Sequence, residues 1–147
     1  MKSECSITTK IKINIYENAL KKVDDLKLQE LIKVIGNKVE KPLNGDNKKV
    51  IIFTAFADTA DYLYKNLSEE MLKLGIYTAC VTGKSVVTNN RFVDKDFNSV
   101  LCAFSPISKM KKEIPANEQI DLLIGTDCIS EGQNLQDCDF LINYDIH

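Results

Sequence analysis

Histidine is almost missing from this chain of 147 residues: its one copy, His147, is the final residue. Ser/His and Cys/His nucleophilic catalysis are excluded on that ground, because both need a base fixed beside the nucleophile. Arginine is as scarce, with Arg91 the single copy, so nearly all the positive charge is lysine. Nor is there a basic excess, since the net charge is −2. A module that grips nucleic acid unaided carries such an excess to neutralise phosphates. Any nucleic-acid site here is therefore partial, made of backbone amides, hydroxyls and a few lysines, and completed by another domain. No apolar run approaches the ~20 residues of a membrane span, and the opening MKSECSITTKIKINIY lacks the apolar core of a secretory signal. The five cysteines (Cys5, Cys80, Cys102, Cys128, Cys138) never fall as C-x-x-C. Their odd number and scatter argue against a disulfide framework or zinc site, and for small core hydrophobes in a reducing cytoplasm. Internal repeats and low-complexity tracts are missing too.

What is present is an ordinary globular composition, 44% apolar and 27% charged. A chain of this length forms one domain that buries roughly two thirds of its unfolded surface. Residues 6–16 alternate polar with apolar, which suggests an extended edge segment or arm. From Glu17 to Val39 the apolar residues take helical spacing, with Asp24 or Asp25 placed to cap the longer part. Pro42 and Asn44-Gly45-Asp46 end that stretch in a loop. KKVIIFTAF, from Lys48 to Phe56, reads as a buried strand. Asp58 is then the expected cap of a helix with Leu63, Leu67, Met71 and Leu74 on one stripe and Gly75 at C′.

Ile76 to Thr82 predicts another strand, followed by Gly83-Lys84-Ser85. The triplet invites a phosphate-loop reading, with Lys84 on phosphate and Ser85 on magnesium. The P-loop needs G-x-x-x-x-G-K-[ST], and Thr78 occupies its first glycine position, inside an apparent strand. Residues 85–96 read as a surface loop. FNSVLCAF, from Phe97 to Phe104, predicts a helix stopped at Ser105-Pro106. Lys109 to Lys112 is a short basic cluster, either a solvated face or a phosphate contact.

The most informative stretch is Ile120 to Asp145, IDLLIGTDCISEGQNLQDCDFLINYD. Two apolar runs, Leu122-Leu123-Ile124 and Phe140-Leu141-Ile142, flank a loop holding Thr126, Asp127, Ser130, Glu131, Gln133 and Asn134. Apolar runs bounded by turn residues read as parallel strands buried on both faces. In open α/β sheets ligands sit beyond the carboxyl ends of such strands, where this loop would lie. Strand, polar turn, strand also occurs in any α/β protein.

Gly125-Thr126-Asp127, Ser130-Glu131-Gly132-Gln133-Asn134-Leu135 and Leu141-Ile142-Asn143-Tyr144-Asp145 together resemble motif V and the next strand of superfamily 2 helicases. The similarity is to the second RecA-like lobe, closest to Swi/Snf-type and related bacterial DEAD/DEAH-box-like ATPases. Thr54 to Asp58 with DTADYLYKNL resembles motif IV and its helix. The resemblance implies a three-layer α/β, RecA-like fold with a mainly parallel sheet. It divides the chain into an N-terminal extended segment and helices, 1–47, and the lobe, 48–147, cut before the glutamine-and-arginine block of motif VI. Between Gly83 and Ile120 the chain is longer than a minimal member needs.

The resemblance further implies that Gly125, Thr126, Thr54 and Phe56 meet a DNA or RNA backbone, while Gly132, Gln133 and Asn134 approach ATP. Asp127 would brace the loop, since its charge repels phosphate. Glu131 departs from the small residue or arginine of many relatives. ATP and Mg2+ would serve the full-length protein, with the N-terminal RecA-like lobe of the same parent as partner. For this chain alone no cofactor, no membrane partner and no ATP hydrolysis are expected, because the phosphate cradle fails its spacing and an acid box and a placed arginine are missing. Two other classes fit the β/α pattern. One is a stand-alone Rossmann- or flavodoxin-like nucleotide or anion module, although Thr54-Ala55-Phe56-Ala57-Asp58 lacks the glycines of its first turn. The other is an interaction domain with an exposed strand edge.

Overall fold

The computed structural model describes residues 26–106, 114–129, 135 and 137–145. The expected arm at 6–16, the caps Asp24 and Asp25, and the cluster at 109–112 lie outside the described residues. Two compact units divide the chain, Met1–Val34 and Ile35–His147. Residues 26–40 are helical (α1), the first part in one unit and 35–40 in the other. Within the second unit Ile35, Lys38 and Val39 are buried. Lys38 Nζ pairs with Asp139 Oδ1 at 2.7 Å and also donates to the Asn47 carbonyl. Asn44 Nδ2 donates to Asp139 Oδ2 at 2.8 Å, and Asn47 Nδ2 to the Asp137 carbonyl at 2.7 Å.

Among the described residues five strands form, four on the expected apolar runs and one more. They are β1 (Val50–Phe53), β2 (Thr78–Val81), β3 (Val86–Thr88), β4 (Leu122–Gly125) and β5 (Leu141–Asn143). Their order across the sheet is β3-β2-β4-β1-β5, and only the β2–β3 pair is antiparallel. The central strands β1, β2 and β4 are buried almost throughout, which is why their sequences are continuous apolar runs rather than alternating ones.

Register lines Ile51, Leu123 and Ala79 up on one face. There they pack with Val100, Leu101, Ala103 and Phe104 of α3 (Phe97–Phe104) and with Ile129. Helix α2 (Ala57–Lys73) buries Ala60, Leu63, Leu67 and Met71 and packs on β2 and β4 from the opposite face, that of Cys80. Burial, then the charges of Asp61 and Cys128, push the Cys80 thiol up to about 12. The result is a three-layer α/β sandwich with a mainly parallel sheet.

Two expectations are corrected. Residues 86–88 are not loop but an edge strand, joined to β2 through the four residues 82–85. Three β-branched residues are too few to show a strand period, so the pattern was hidden. Asp58 does not cap α2: the N-cap is Phe56, which offers no side-chain acceptor, and Asp58 sits in the first turn, where its charge complements the positive end of the helix dipole. Gly75 does take the left-handed conformation, φ 78°, just beyond the C-cap Leu74. Helix α3 is capped by Asp96, whose carboxylate accepts from Ser99 N at 2.9 Å.

The amino end of β1 is fixed by a buried lysine. Lys49 Nζ donates to the Ile120 carbonyl at 3.0 Å, lies 3.3 Å from Asp121 Oδ1, and sits 5.3 Å above the Phe104 ring. Burial lowers its pKa, while the Asp121 charge works the other way.

Candidate nucleic-acid interface at the strand ends

The carboxyl ends of β1, β4 and β5 converge on a cleft of about 450 Å³ lined by Phe53, Thr54, Ala55, Asp127, Leu141, Asn143 and Asp145. Parallel strands present their ends together, so residues far apart in the chain meet here as a consequence of topology.

On the β1 side, Asp145 holds the turn into α2. The Thr54 hydroxyl donates to the Asp145 carboxylate, 2.9 Å from each oxygen, and Ala55 N–H donates to Oδ2 at 2.5 Å. The same hydroxyl accepts from Phe56 N–H at 3.3 Å. Charge-assisted bonds of this kind are the stronger ones. Thr54 is buried, whereas the Phe56 ring that follows is 62% exposed.

On the β4 side, Gly125 is a packing glycine. An ideal Cβ there would fall 2.0 Å from Ile129 Cδ1 and 2.5 Å from Cγ1. The 3-10 turn Asp127–Ile129 can therefore fold back on β4, with Ile129 N–H donating to the Thr126 carbonyl at 3.1 Å. The backbone here is already engaged: Thr126 N–H donates to Val81 O at 3.2 Å, and Thr54 N–H to Gly125 O at 3.1 Å. Among the described residues the Thr126 hydroxyl meets a weak partner, Cys128 Sγ at 3.5 Å.

Of the seven residues expected to contact ligand, Thr54, Phe56, Gly125 and Thr126 stand together at these strand ends, while Gly132, Gln133 and Asn134 lie outside the described residues. Three residues had no site role assigned from the sequence. Asp145 acts through Thr54 across 91 residues, and nothing local in the sequence signals such a pairing. Ile129 and Cys128 looked like ordinary core residues, and only the missing Cβ at Gly125 hints that something packs there.

The residues described do not form a cradle for ATP·Mg2+. Gly83-Lys84-Ser85 turns a hairpin rather than opening a helix. Lys84 N–H and Ser85 N–H, the amides a phosphate would need, both donate to the Thr82 hydroxyl at 3.2 and 3.1 Å. No group of His, Cys, Asp or Glu among the described residues is arranged to hold a metal ion. No helix among them is long and apolar enough to cross a membrane.

Residues 26–147 match the model of one protein family, described as the helicase conserved C-terminal domain. No curated protein and no solved structure matches the chain.

Proposed function

The chain belongs to the helicase conserved C-terminal domain family, and from that premise we propose that it is the second motor lobe of an ATP-dependent helicase or translocase. It contributes contacts to a nucleic-acid backbone and one side of an ATP cleft, and it is inactive without the other lobe. The observation that carries this reading is the coincidence of the family match with the strand-end cluster around Gly125 and Thr126. Thr126 is the donor of choice there, because its amide is committed to Val81 while among the described residues its hydroxyl meets a sulfur partner. A hydroxyl bond to phosphate positions a strand without reading its bases. By resemblance, Gly132, Gln133 and Asn134 supply the share of the ATP cleft, with Mg2+ held by the other lobe. The Thr82 to Ser85 hairpin takes no part in it.

The stand-alone nucleotide module is the weaker alternative. Its first β–α turn would have to offer amides to a phosphate, yet Ala55 N–H and Phe56 N–H are taken by Asp145 and Thr54.

Thr126→Val tests the reading, since it keeps the shape and deletes one donor. A hydrogen bond to a charged group is worth ~1.5–3 kcal/mol, so affinity for a labelled oligonucleotide, followed by anisotropy, should fall on the order of ten-fold or more. The loss should be the same for unrelated sequences, with the melting temperature unchanged. Should the variant melt several degrees lower and bind as before, the hydroxyl is a brace and the reading fails.

A further inference from the structure

Phe56 occupies a position where stability alone would choose another residue. It is the N-cap of a 17-residue helix and supplies no capping bond, although Ser, Thr, Asp or Asn would satisfy one of the free amides there. It also leaves a large aromatic ring 62% exposed, which forfeits the burial that a phenylalanine normally gains. Both costs fall on one side chain, and that side chain lies just beyond the carboxyl end of the buried strand β1. The ring is not on a loose loop: Thr54 and Ala55, the two residues before it, are tied to the Asp145 carboxylate, and its own amide is held by the Thr54 hydroxyl. With the backbone beneath it fixed in this way, the ring costs less entropy to order when something stacks on it.

The neighbouring cleft says what that partner is not. It combines the carboxylates of Asp127 and Asp145 with the apolar atoms of Phe53 and Leu141. Inside that cleft, which Thr126 does not line, a phosphate beside the two carboxylates is repelled, whereas a flat base with N–H donors suits both kinds of wall. We infer that Phe56, held outward by the Asp145 clamp, is a base-stacking contact that makes the lobe select a single strand with open bases. This rests on the lobe reading and extends it from the backbone to the bases. Asp145 is then a positioning residue and Phe56 the specificity-determining one. Stacking on an aromatic ring tolerates any base, because every base has a π-face.

The chain contains no tryptophan, so Phe56→Trp places a single indole emitter at the contact. With the 147-residue chain at low salt, a labelled single-stranded oligonucleotide should raise its anisotropy on binding and quench the indole emission of that variant. A strand of equal length and charge carrying abasic sites should bind without quenching, and a duplex, whose bases are already stacked on one another, should leave the emission unaltered. Phe56→Ala should lower affinity for the intact strand by roughly ten-fold and leave that for the abasic strand unchanged. Adding Asp145→Asn to Phe56→Trp should reduce the quench at saturation, a readout that a purely structural role would not move, with the fold checked by circular dichroism. Binding without quenching, equal quenching by the duplex, or equal losses on intact and abasic strands would each overturn the stacking role and leave the lobe reading standing. No binding to any strand would overturn the stacking role, while the lobe reading, whose site a second lobe completes, stands or falls with Thr126→Val.

Discussion

Gly125→Ala adds one carbon where Ile129 already sits, and the structure sets the size of the penalty. Carbon atoms pack at about 3.5–4.0 Å, but the new Cβ would lie 2.0 Å from Ile129 Cδ1 and 2.5 Å from Cγ1. Ile129 must withdraw by about 1.5 Å or more at the closest atom. It has no free space to enter, being 1% exposed within the cluster that includes Val81, Leu123 and Phe104. Overpacking of this kind costs ~1–3 kcal/mol. Replacing a strand glycine by alanine returns roughly 0.5–1 kcal/mol of backbone entropy, and Gly125 does not need the positive φ found at Gly45 and Gly75. The clash is the larger effect, so the variant should be less stable, with the melting temperature lower by about 2–4 °C per kcal/mol. A double-mutant cycle with Ile129→Ala isolates the cause. That change alone opens a cavity at a cost of ~2–5 kcal/mol, which the methyl of Gly125→Ala would partly refill. Urea unfolding of the four proteins should give a favourable coupling of at least ~1 kcal/mol. Additivity within ~0.3–0.5 kcal/mol, or a wild-type midpoint for Gly125→Ala alone, would refute the packing account of this glycine.

Two further outcomes concern pH. At Asp139 burial by itself would raise the pKa, but the hydrogen bonds from Lys38 and Asn44 and the Lys38 charge outweigh it and hold the carboxyl below its ordinary value. Its stabilisation is therefore full above about pH 4 and lost as pH falls through the folded-state value; Asp139→Asn should unfold at lower urea than wild type at pH 7, with the gap narrowing as pH falls below about 4. Cys80 keeps in the fold, to about 12, a proton that the unfolded chain releases near 9, so its contribution is complete below about pH 9 and declines above it. The buried Lys49 works in the opposite sense, its lowered pKa making the fold less costly as pH rises. Comparison with Cys80→Ala separates the two: that variant should show a flatter alkaline decline, and an unchanged slope would count against the thiol.

The strands were legible because β1, β2 and β4 are walled on both faces and so had to be apolar throughout. The same logic explains what was not legible. Val86–Thr88 is an edge strand half-open to solvent, and three residues cannot display a period. Asp58 looked like a cap by residue type, but the turn is organised by Asp145 instead, and a carboxylate 90 residues away has no spacing signal. Gly125 was visible as a glycine at a strand end, a placement equally suited to ligand approach and to packing. The Ile129 side chain supplies a packing reason that the sequence could not rank. Thr126 and Phe56 stood out through resemblance, whereas the weak sulfur partner of one and the missing cap of the other are facts of three-dimensional placement.

The order of the sheet also bears on how the chain comes to be folded during synthesis. β1, near the middle of the sheet, has β4 and β5 as its two neighbours, and both come from the last part of the sequence. The ties that close the same region, Asn47 to Asp137, Thr54 to Asp145 and Asn44 to Asp139, each span 90 to 95 residues. A ribosome making the chain from its amino end completes Val50–Phe53 long before anything exists to pair with it. Until then a wholly apolar strand waits with both edges open, a state that slow, non-local pairing prolongs. Helix α2 follows it directly, yet its main packing partners, β2 and β4, are themselves still to be made.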